Sequence, residues 1–381
     1  MDYQARTREL QRRLGDAKLD AFVSDDADTI YYLSGFWGYL AMEFGRATIL
    51  VVPRTGEPTI ITPAMEAEMA RSFSWIADVR EWADGVDGEW GGTLEKLLGT
   101  LKAKRLGTER FKLHARVSAV LHELRDVTLV DATATVADMR MVKSPEEIVV
   151  MRQAGKVAVA MLEGARAVMA EGVPEYEVAL AAIAGGTRKA ATFLSADGPE
   201  RMMSPTIYNL QVMQSGRHTC MVHGRSTVKR LQKGDPFYLC FCGVANFKLF
   251  KLGFDREFFV GSATDEQARL YETTVKAQQA ALAEIRPGAV AADVHAAAED
   301  VYKSAGLGFG YRTGRAIGYS FLEEPQLKRG DQTRLQAGMT FAVDGGITIP
   351  GKAGYRIGDS IVVTPQGFEY FTEYPRGLAV I

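Results

Sequence analysis

The sequence predicts an α/β (α+β) fold with two domains, and three observations support this prediction. The chain has 381 residues, which is enough for one large hydrophobic core and a second, smaller one. Short β-rich runs alternate with helical patterns up to about residue 130, which is typical of an α/β unit. A new helix start follows at Ser144–Glu147, so we predict one domain over 1–132 and another over 133–381.

Apolar spacing and turn residues predict the elements of the first domain. A helix is expected over 3–15, and Ala21–Val23 is a short strand run that leads into a turn of aspartates. Ala47–Val52 and Thr59–Ile61 are β-rich, and Pro53–Pro58 between them has the composition of a hairpin loop. The remaining expected elements are helices over 63–72 and 93–104 and strands over 105–108 and 127–130.

The second domain is predicted to begin with a capped helix. Ser144 is a capping residue, Pro145 suits the first helical position, and Glu147 can reach back to the cap. A second helix start stands at Val173-Pro174. The pattern then predicts strands over 235–242 and 245–260, helices over 264–285 and 291–305, and strands over 338–344, 346–349, 355–364 and 368–372.

Composition and charge exclude several classes of function. The formal net charge is −2 with both signs interspersed, so neither nucleic acid nor an anionic membrane surface is an expected partner. No run of about 18 uncharged apolar residues occurs, and the N-terminus lacks the apolar core of a signal peptide. We therefore expect a cytoplasmic protein whose partner is a small polar or zwitterionic substrate.

The three cysteines are Cys220, Cys240 and Cys242. An odd count in a long chain favours reduced thiols over a disulfide framework. The Cys-Phe-Cys pair could bind a metal or supply a nucleophile, but a place inside a strand explains it as well, because small thiols are common in cores.

Several segments resemble the creatinase/prolidase (M24, pita-bread) family. Asp138–Glu147 and Val173–Leu180 are similar to the start of the creatinase catalytic domain. Further similar segments follow in order at Lys233–Asp235, Asp255–Glu257, Ile285–Ala289, Leu335–Met339 and Tyr355–Asp359. The resemblance implies a small N-terminal creatinase-type domain, a C-terminal pita-bread domain, and a homodimer whose site is completed by the partner's N-terminal domain.

The resemblance also places the five metal ligands of the family's two-metal peptidases on this chain. Those ligands are two aspartates, a histidine and two glutamates, because hard oxygen and imidazole ligands hold both ions. In this chain the five positions hold Cys240, Gly253, Arg315, Asp344 and Gly358. An alternative alignment puts Tyr319 in the histidine position. We therefore expect no metal and no other cofactor.

The remaining candidates resemble the metal-independent site of creatinase. His223 stands where creatinase has its catalytic histidine, and an imidazole can move a proton near neutral pH. Asp255 and Asp344 match its substrate-gripping glutamates, and paired carboxylates suit a guanidinium, amidine or ammonium group. Phe44 and Arg46 match a segment in which the arginine binds the substrate carboxylate across the dimer interface and the phenylalanine covers it.

Three further positions would line the same site. Lys251 replaces a creatinase tyrosine, and Arg315 or Tyr319 fills the lost histidine position. Cys240 should face the cavity, where a thiolate activated by His223 is one reading and a core thiol the other. These departures argue against creatine as the substrate. The spacing of the segments that follow the lost histidine position also resembles that of ectoine-hydrolase-like relatives.

The function predicted from these residues is metal-independent hydrolysis of a C–N bond in a small zwitterionic amidine, guanidine or amide. His223 would act as general acid and base, Asp255 and Asp344 would bind the cationic end, and Arg46 would bind the carboxylate. Two alternatives stay open, a catalytically inactive pita-bread binding protein and a metal-dependent Xaa-Pro peptidase. The substrate itself is not predicted, because small changes in a pocket redirect specificity.

Overall fold

The computed structural model describes residues 1–38, 46–86, 88–197, 203–207, 210–242, 247–308 and 312–381. They form two compact units, Met1–Arg140 and Met141–Ile381. Each unit holds a sheet with helices packed on it, so the predicted α/β (α+β) fold class is confirmed. Within these ranges, no helix combines the length and the apolar character that crossing a membrane requires.

The N-terminal unit is built on a mixed sheet in the order β4-β3-β2-β1-β5-β6. Its elements are α1 Tyr3–Asp16, β1 Ala21–Ser24, α2 Ala27–Ser34, β2 Ile49–Pro53, β3 Thr59–Pro63, α3 Ala67–Phe73, β4 Asp78–Trp82, α4 Glu89–Leu101, β5 Arg105–Thr108, α5 Ala115–Glu123, β6 Thr128–Asp131 and α6 Thr133–Met141. Ile49 and Val51 of the sheet belong to the same buried core as Trp90 and Leu94 of α4.

Local capping explains where these helices begin. The Asp2 carboxylate accepts the backbone N–H of Ala5 at 2.8 Å at the start of α1, and the Asp26 carboxylate caps α2 in the same way. Helix α4 starts at Glu89, earlier than the predicted residue 93. The buried Trp90 side chain anchors this glycine-rich turn, so tertiary packing outweighs its poor helix propensity.

The C-terminal unit is built on an antiparallel sheet in the order β11-β10-β12-β13-β9-β8-β7, with β14 paired to β13. Its further elements are α7 Pro145–Arg166, α8 Glu175–Asp197, β7 Leu210–Ser215, β8 Pro236–Cys242, β9 Asp255–Phe259, α9 Asp265–Glu284, α10 Ala291–Ser304, β10 Arg312–Ala316, β11 Glu323–Lys328, β12 Thr340–Ile349, β13 Ala353–Thr364 and β14 Gly367–Tyr370. Helices α7 and α8 pack as one pair and α9 and α10 as another.

The main core of this unit lies between the α9–α10 pair and strands β12 and β13. Leu270 and Ala281 of α9 and Val294 of α10 share a buried cluster with Phe341 and Ile361 of the two strands. Capping boxes start both α7, as predicted, and α9, where the Thr264 side chain accepts from the backbone of Gln267. Asp255 and Asp344 lie on the opposite face of the sheet.

Several strands differ from the prediction, and β4 and β7 were not predicted. Strand β9 covers only Asp255–Phe259, instead of the long strand expected over 245–260. Strands β10 and β11 were not predicted at all, because Arg312–Ala316 and Glu323–Lys328 contain few of the β-branched and aromatic residues that mark strands.

Strands β9 and β13 meet at a narrow seam. In the described part of the chain a single register pair, Gly358 with Asp255, joins them. The Arg256 side chain adds bonds across the same seam, because its Nη1 donates to the carbonyl oxygens of Asp255 at 2.7 Å and Gly358 at 2.9 Å. The Arg256 side chain therefore supplies hydrogen bonds that join the two halves of the sheet.

Candidate active site

Three of the five positions that the resemblance assigned to metal ligands form one row across the C-terminal sheet together with Asp255; they are Cys240, Gly358 and Asp344. Cys240 of β8 pairs with Asp255 of β9, although the aligned position Gly253 lies just before that strand. Asp255 pairs with Gly358 of β13, which pairs with Asp344 of β12. Directly paired residues point to the same face of a sheet, so these residues share one surface.

The residue of this row on β9 is Asp255, and not Gly253 as the resemblance suggested. Gly253 lies two residues earlier on the same face, beside Arg315 and Ala342. Arg315 pairs with Ala342, which lies two residues before Asp344, so the Arg315 side chain also belongs to this surface. We call Asp255, Arg315 and Asp344 the charged cluster.

Arg315 is held rigidly inside the charged cluster. Its Nη1 donates to the Asp344 carboxylate in an ion pair whose two side chains are 3% and 17% exposed. Its Nε donates to the carbonyl oxygen of Phe321 at 3.3 Å, and its guanidinium carbon lies 3.9 Å from the centre of the Phe321 ring. Stacking and hydrogen bonding thus fix the orientation of a buried cation.

Asp255 is a buried carboxyl that lacks enough donors. Its Oδ1 has no hydrogen-bond partner in the described part of the chain. Burial raises the pKa of Asp255 to about 7, and the negative charge of Asp344 adds to the rise against the opposing effects of Arg315 and the Tyr238 hydroxyl. Asp255 therefore exchanges a proton near neutral pH, as a general acid or base must.

Glu257, which we did not predict as a site residue, lies two residues further along β9 on the same face. Its Oε2 accepts the backbone N–H of Arg356 at 3.0 Å, and its Oε1 has no partner among the described residues. Burial raises the pKa of Glu257 to about 8. The period of two along a strand was the signal that could have revealed it, because it places both carboxyls on one side.

The other predicted residues are distributed as follows. His223 is exposed on a turn, and within the described ranges it has no hydrogen bond to the charged cluster. Tyr319 is fully buried with its ring 4.5 Å from that of Phe250, so Arg315 rather than Tyr319 joins the cluster. Lys251 donates to the carbonyl oxygen of Tyr319.

The N-terminal unit holds the two residues expected to reach the substrate carboxylate. Arg46 pairs with Asp84, and its guanidinium carbon lies 5.3 Å from the centre of the Trp82 ring. Phe44 lies outside the described residues. Both of these contacts of Arg46 lie within its own unit.

The expectation of reduced cysteines is wrong for Cys240. Cys240 is buried and disulfide-bonded, while Cys220 is free. A sulfur in a disulfide has no proton to lose, so Cys240 cannot serve as a thiolate nucleophile activated by His223.

The family's two metal ions do not fit the residues present. A Cβ atom added at Gly358 would lie 2.6 Å from Oδ2 of Asp255 and 2.8 Å from Cβ of Asp344. A Cβ added at Gly253 would lie 2.9 Å from Cβ of Ala342 and 3.3 Å from Nη2 of Arg315. Neighbouring side chains thus fill the space that two ligand carboxylates would need. Nowhere in the described ranges do three or more His, Cys, Asp or Glu side chains form a group suited to a metal.

Comparison with known proteins identifies both domains. A model described as metallopeptidase family M24 matches residues 149–365, and one described as the creatinase/prolidase N-terminal domain matches residues 6–142. These matches confirm the predicted architecture of a creatinase-type domain followed by a pita-bread domain.

Individual relatives align along almost their whole length. A probable dipeptidase PepE of Mycobacterium tuberculosis is 30% identical, with 96% of this chain and 93% of that protein covered. An agropine synthesis cyclase of Rhizobium rhizogenes is 27% identical, with 98% and 96% covered. The crystal structure of dipeptidase PepE from Mycobacterium ulcerans superimposes with a TM-score of 0.82 at 27% identity, with 100% and 99% covered.

These relatives overturn the function predicted from the sequence. The relatives named dipeptidases act on peptide bonds, and the matching family model describes a metallopeptidase. The prediction of a creatinase-like, metal-independent amidinohydrolase acting on other C–N bonds is therefore wrong. The resemblance to creatinase misled because it rested on which positions had changed, and a changed position says little about the bond that is cleaved.

Proposed function

Because this chain belongs to metallopeptidase family M24, we propose that it hydrolyses the amide bond of a dipeptide or a dipeptide-like compound. The supporting observation is the alignment with a probable dipeptidase at 30% identity along nearly all of both chains.

The charged cluster contains groups that suit amide hydrolysis. Asp255, whose Oδ1 has no partner among the described residues, is suited to take a proton from water as the water oxygen adds to the amide carbon. Among the described residues, Arg315 bonds to Asp344 and Phe321 through Nη1 and Nε, and its Nη2 donor suits the negative charge that develops on the carbonyl oxygen. The proton then passes to the amide nitrogen as the C–N bond breaks, which yields one carboxylic acid and one amine.

Two residues keep their predicted roles as proposals. His223 is exposed on its turn and would be free to deliver the proton to the leaving nitrogen. In the predicted homodimer, Arg46 of the partner subunit would bind the substrate carboxylate. The replaced ligand positions also support a place for this chain among the family members nearest to creatinase and ectoine hydrolase.

A dipeptide panel tests the proposed function. The purified protein is incubated with dipeptides that include Xaa-Pro sequences, in buffer with EDTA and in buffer with Mn²⁺, and free amino acids are quantified by chromatography. We expect at least one dipeptide to be split, and Asp255→Asn to lower kcat by about 100-fold or more. If no dipeptide is split under either condition, the proposal fails.

The pH dependence of the same reaction provides a second test. Because the pKa of Asp255 is about 7, its base form grows as the pH rises from about 6 to about 8. We expect kcat/KM to rise across this range and to level off above it. A flat profile would show that a group other than Asp255 accepts the proton.

A second candidate function is ring closure within one molecule. The relative named a cyclase spans 98% of this chain, and the proton transfers that break an amide also serve to form a cyclic product. Mass spectrometry separates the two, because hydrolysis adds one water to the substrate and ring closure by condensation removes one. A product lighter by one water would favour the cyclase.

A further inference from the structure

We propose that the guanidinium of Arg315 supplies the positive charge at the centre of this site in place of a metal ion. The proposal goes beyond the proposed function, since it concerns how the centre is built and holds for any substrate. Three observations carry it: the position of Arg315, the space around it, and the ligands that remain.

Arg315 lies on β10, at one end of the row of former ligand positions, and its side chain reaches over that row. Its side chain lies on the same face of the sheet as Asp344, to which it is paired. Its Nη2 lies close enough to Gly253 that a Cβ atom added there would be 3.3 Å away. The guanidinium thus spans from one former ligand position to another.

Small residues make the space that the guanidinium and its partners occupy. Gly253, Ala342 and Gly358 line this part of the sheet, and added Cβ atoms at the two glycines would come within 2.6–2.9 Å of neighbouring atoms. Such separations are shorter than normal packing allows, so an aspartate or glutamate at either place would displace its neighbours. The two glycines and the buried arginine therefore fit together, whereas two ligand carboxylates would not fit beside that arginine.

The ligands that remain cannot hold a divalent ion beside this cation. An arginine side chain stays charged at any working pH, so it repels a second cation. Asp344 is already engaged by Arg315. Asp255 and Glu257 each keep one oxygen without a partner in the part of the chain that the structure describes, but two carboxyls are fewer than the three ligands found in catalytic metal sites.

Metal stoichiometry tests the proposal without any substrate. The full-length protein is equilibrated with Mn²⁺, Co²⁺ or Zn²⁺ and desalted, and the bound metal is measured by inductively coupled plasma mass spectrometry. We expect far less than one equivalent per chain, with no change of melting temperature on adding EDTA or Mn²⁺. One or two bound equivalents, with a melting temperature that EDTA lowers, would overturn the proposal.

Two variants test whether the guanidinium of Arg315 is what excludes the metal ion. Arg315→Gln removes the charge and frees Asp344, so we expect titration calorimetry to detect Mn²⁺ binding that is absent from the wild type. Arg315→Lys keeps the charge and is the matched control, in which binding should stay absent. If the folded Gln variant binds no more Mn²⁺ than the Lys variant, the charge of Arg315 is not what excludes the metal and the proposal fails. If the Gln variant does not fold, the wild-type stoichiometry decides alone. A failure of dipeptide cleavage would leave these measurements untouched.

Discussion

The two faces of the C-terminal sheet hold neighbouring carboxyls in opposite environments, Asp359 of β13 on one face and Asp255 of β9 on the other. On the core face, Asp359 is fully buried, and its carboxylate accepts from Arg256 at 2.8 Å, Arg376 at 2.9 Å and Thr372 at 3.0 Å. On the site face, Asp255 is 4% exposed and keeps one oxygen without a partner in the described ranges. The number of donors around a carboxyl, more than its burial, thus decides whether it is a structural anion or a reactive group.

Removing the structural anion should have the largest effect. Asp359→Asn leaves Arg256 and Arg376 with no full counter-charge in the core. We expect the free energy of unfolding to fall by about 3–5 kcal/mol, the usual loss when one partner of a buried ion pair is removed. Urea unfolding followed by circular dichroism measures it.

Glu369→Gln is the matched control for Asp359→Asn. Glu369 pairs with Arg152 at the surface, where the two side chains are 56% and 49% exposed. This variant should change the free energy of unfolding by less than about 1 kcal/mol. Equal decreases in the free energy of unfolding for Asp359→Asn and Glu369→Gln would contradict the structural role assigned to Asp359.

The reactive carboxyl should instead show itself in the pH dependence of stability. The pKa of Asp255 is raised to about 7 in the folded chain, so its proton stabilises the fold below its unfolded pKa of about 4. That stability is lost as the pH rises from about 4 to about 7. Asp255→Asn cannot titrate, so we expect it to be more stable than the wild type at pH 8 and to lack this fall.

Measuring the free energy of unfolding at several pH values between 4 and 9 compares the wild type with Asp255→Asn directly. Glu257→Gln should behave like Asp255→Asn. The loss of stability that it removes from the wild type extends to about pH 8, because the pKa of Glu257 is about 8. Wild-type and variant stabilities that run parallel across this range would contradict the assigned cause.

Packing around the glycines should give the smallest effect. Gly358→Ala places a Cβ atom 2.6 Å from the Asp255 carboxylate, and we expect a loss of about 1–3 kcal/mol. Gly99→Ala in helix α4 is the control, since no atom lies within 4 Å of its added Cβ. That variant should gain about 0.5–1 kcal/mol from helix propensity. Thermal unfolding of both variants tells whether the site face is as tightly filled as its distances indicate.

Much of the fold was predictable because its signals are local. The cap formed by Ser144 and Glu147 and the hairpin composition of Pro53–Pro58 each act over a few residues, and both mark real element boundaries. Strands β10 and β11 escaped prediction because their neighbours in the sheet, rather than their own composition, stabilise them.

The site was predictable only in part, for a related reason. The resemblance brought Asp255, Arg315 and Asp344 into one list, and cross-strand pairing places them on one surface. Within the described ranges His223 makes no hydrogen bond to that surface and one oxygen of Glu257 has no partner, and both features depend on the register of distant segments. The substrate class was harder to predict, because proteins with the same fold act on different substrates and only the comparison with relatives indicated the class.

The seam between β9 and β13 makes the site sensitive to the far end of the chain. Arg256 crosses this seam and also donates to the carbonyl oxygens of Tyr374 and Pro375. The last residues therefore act as a clamp on the joint between the half-sheets that carry Asp255 and Asp344. A tag or truncation after Phe371 would loosen that clamp and change the spacing of the two carboxyls without touching either of them.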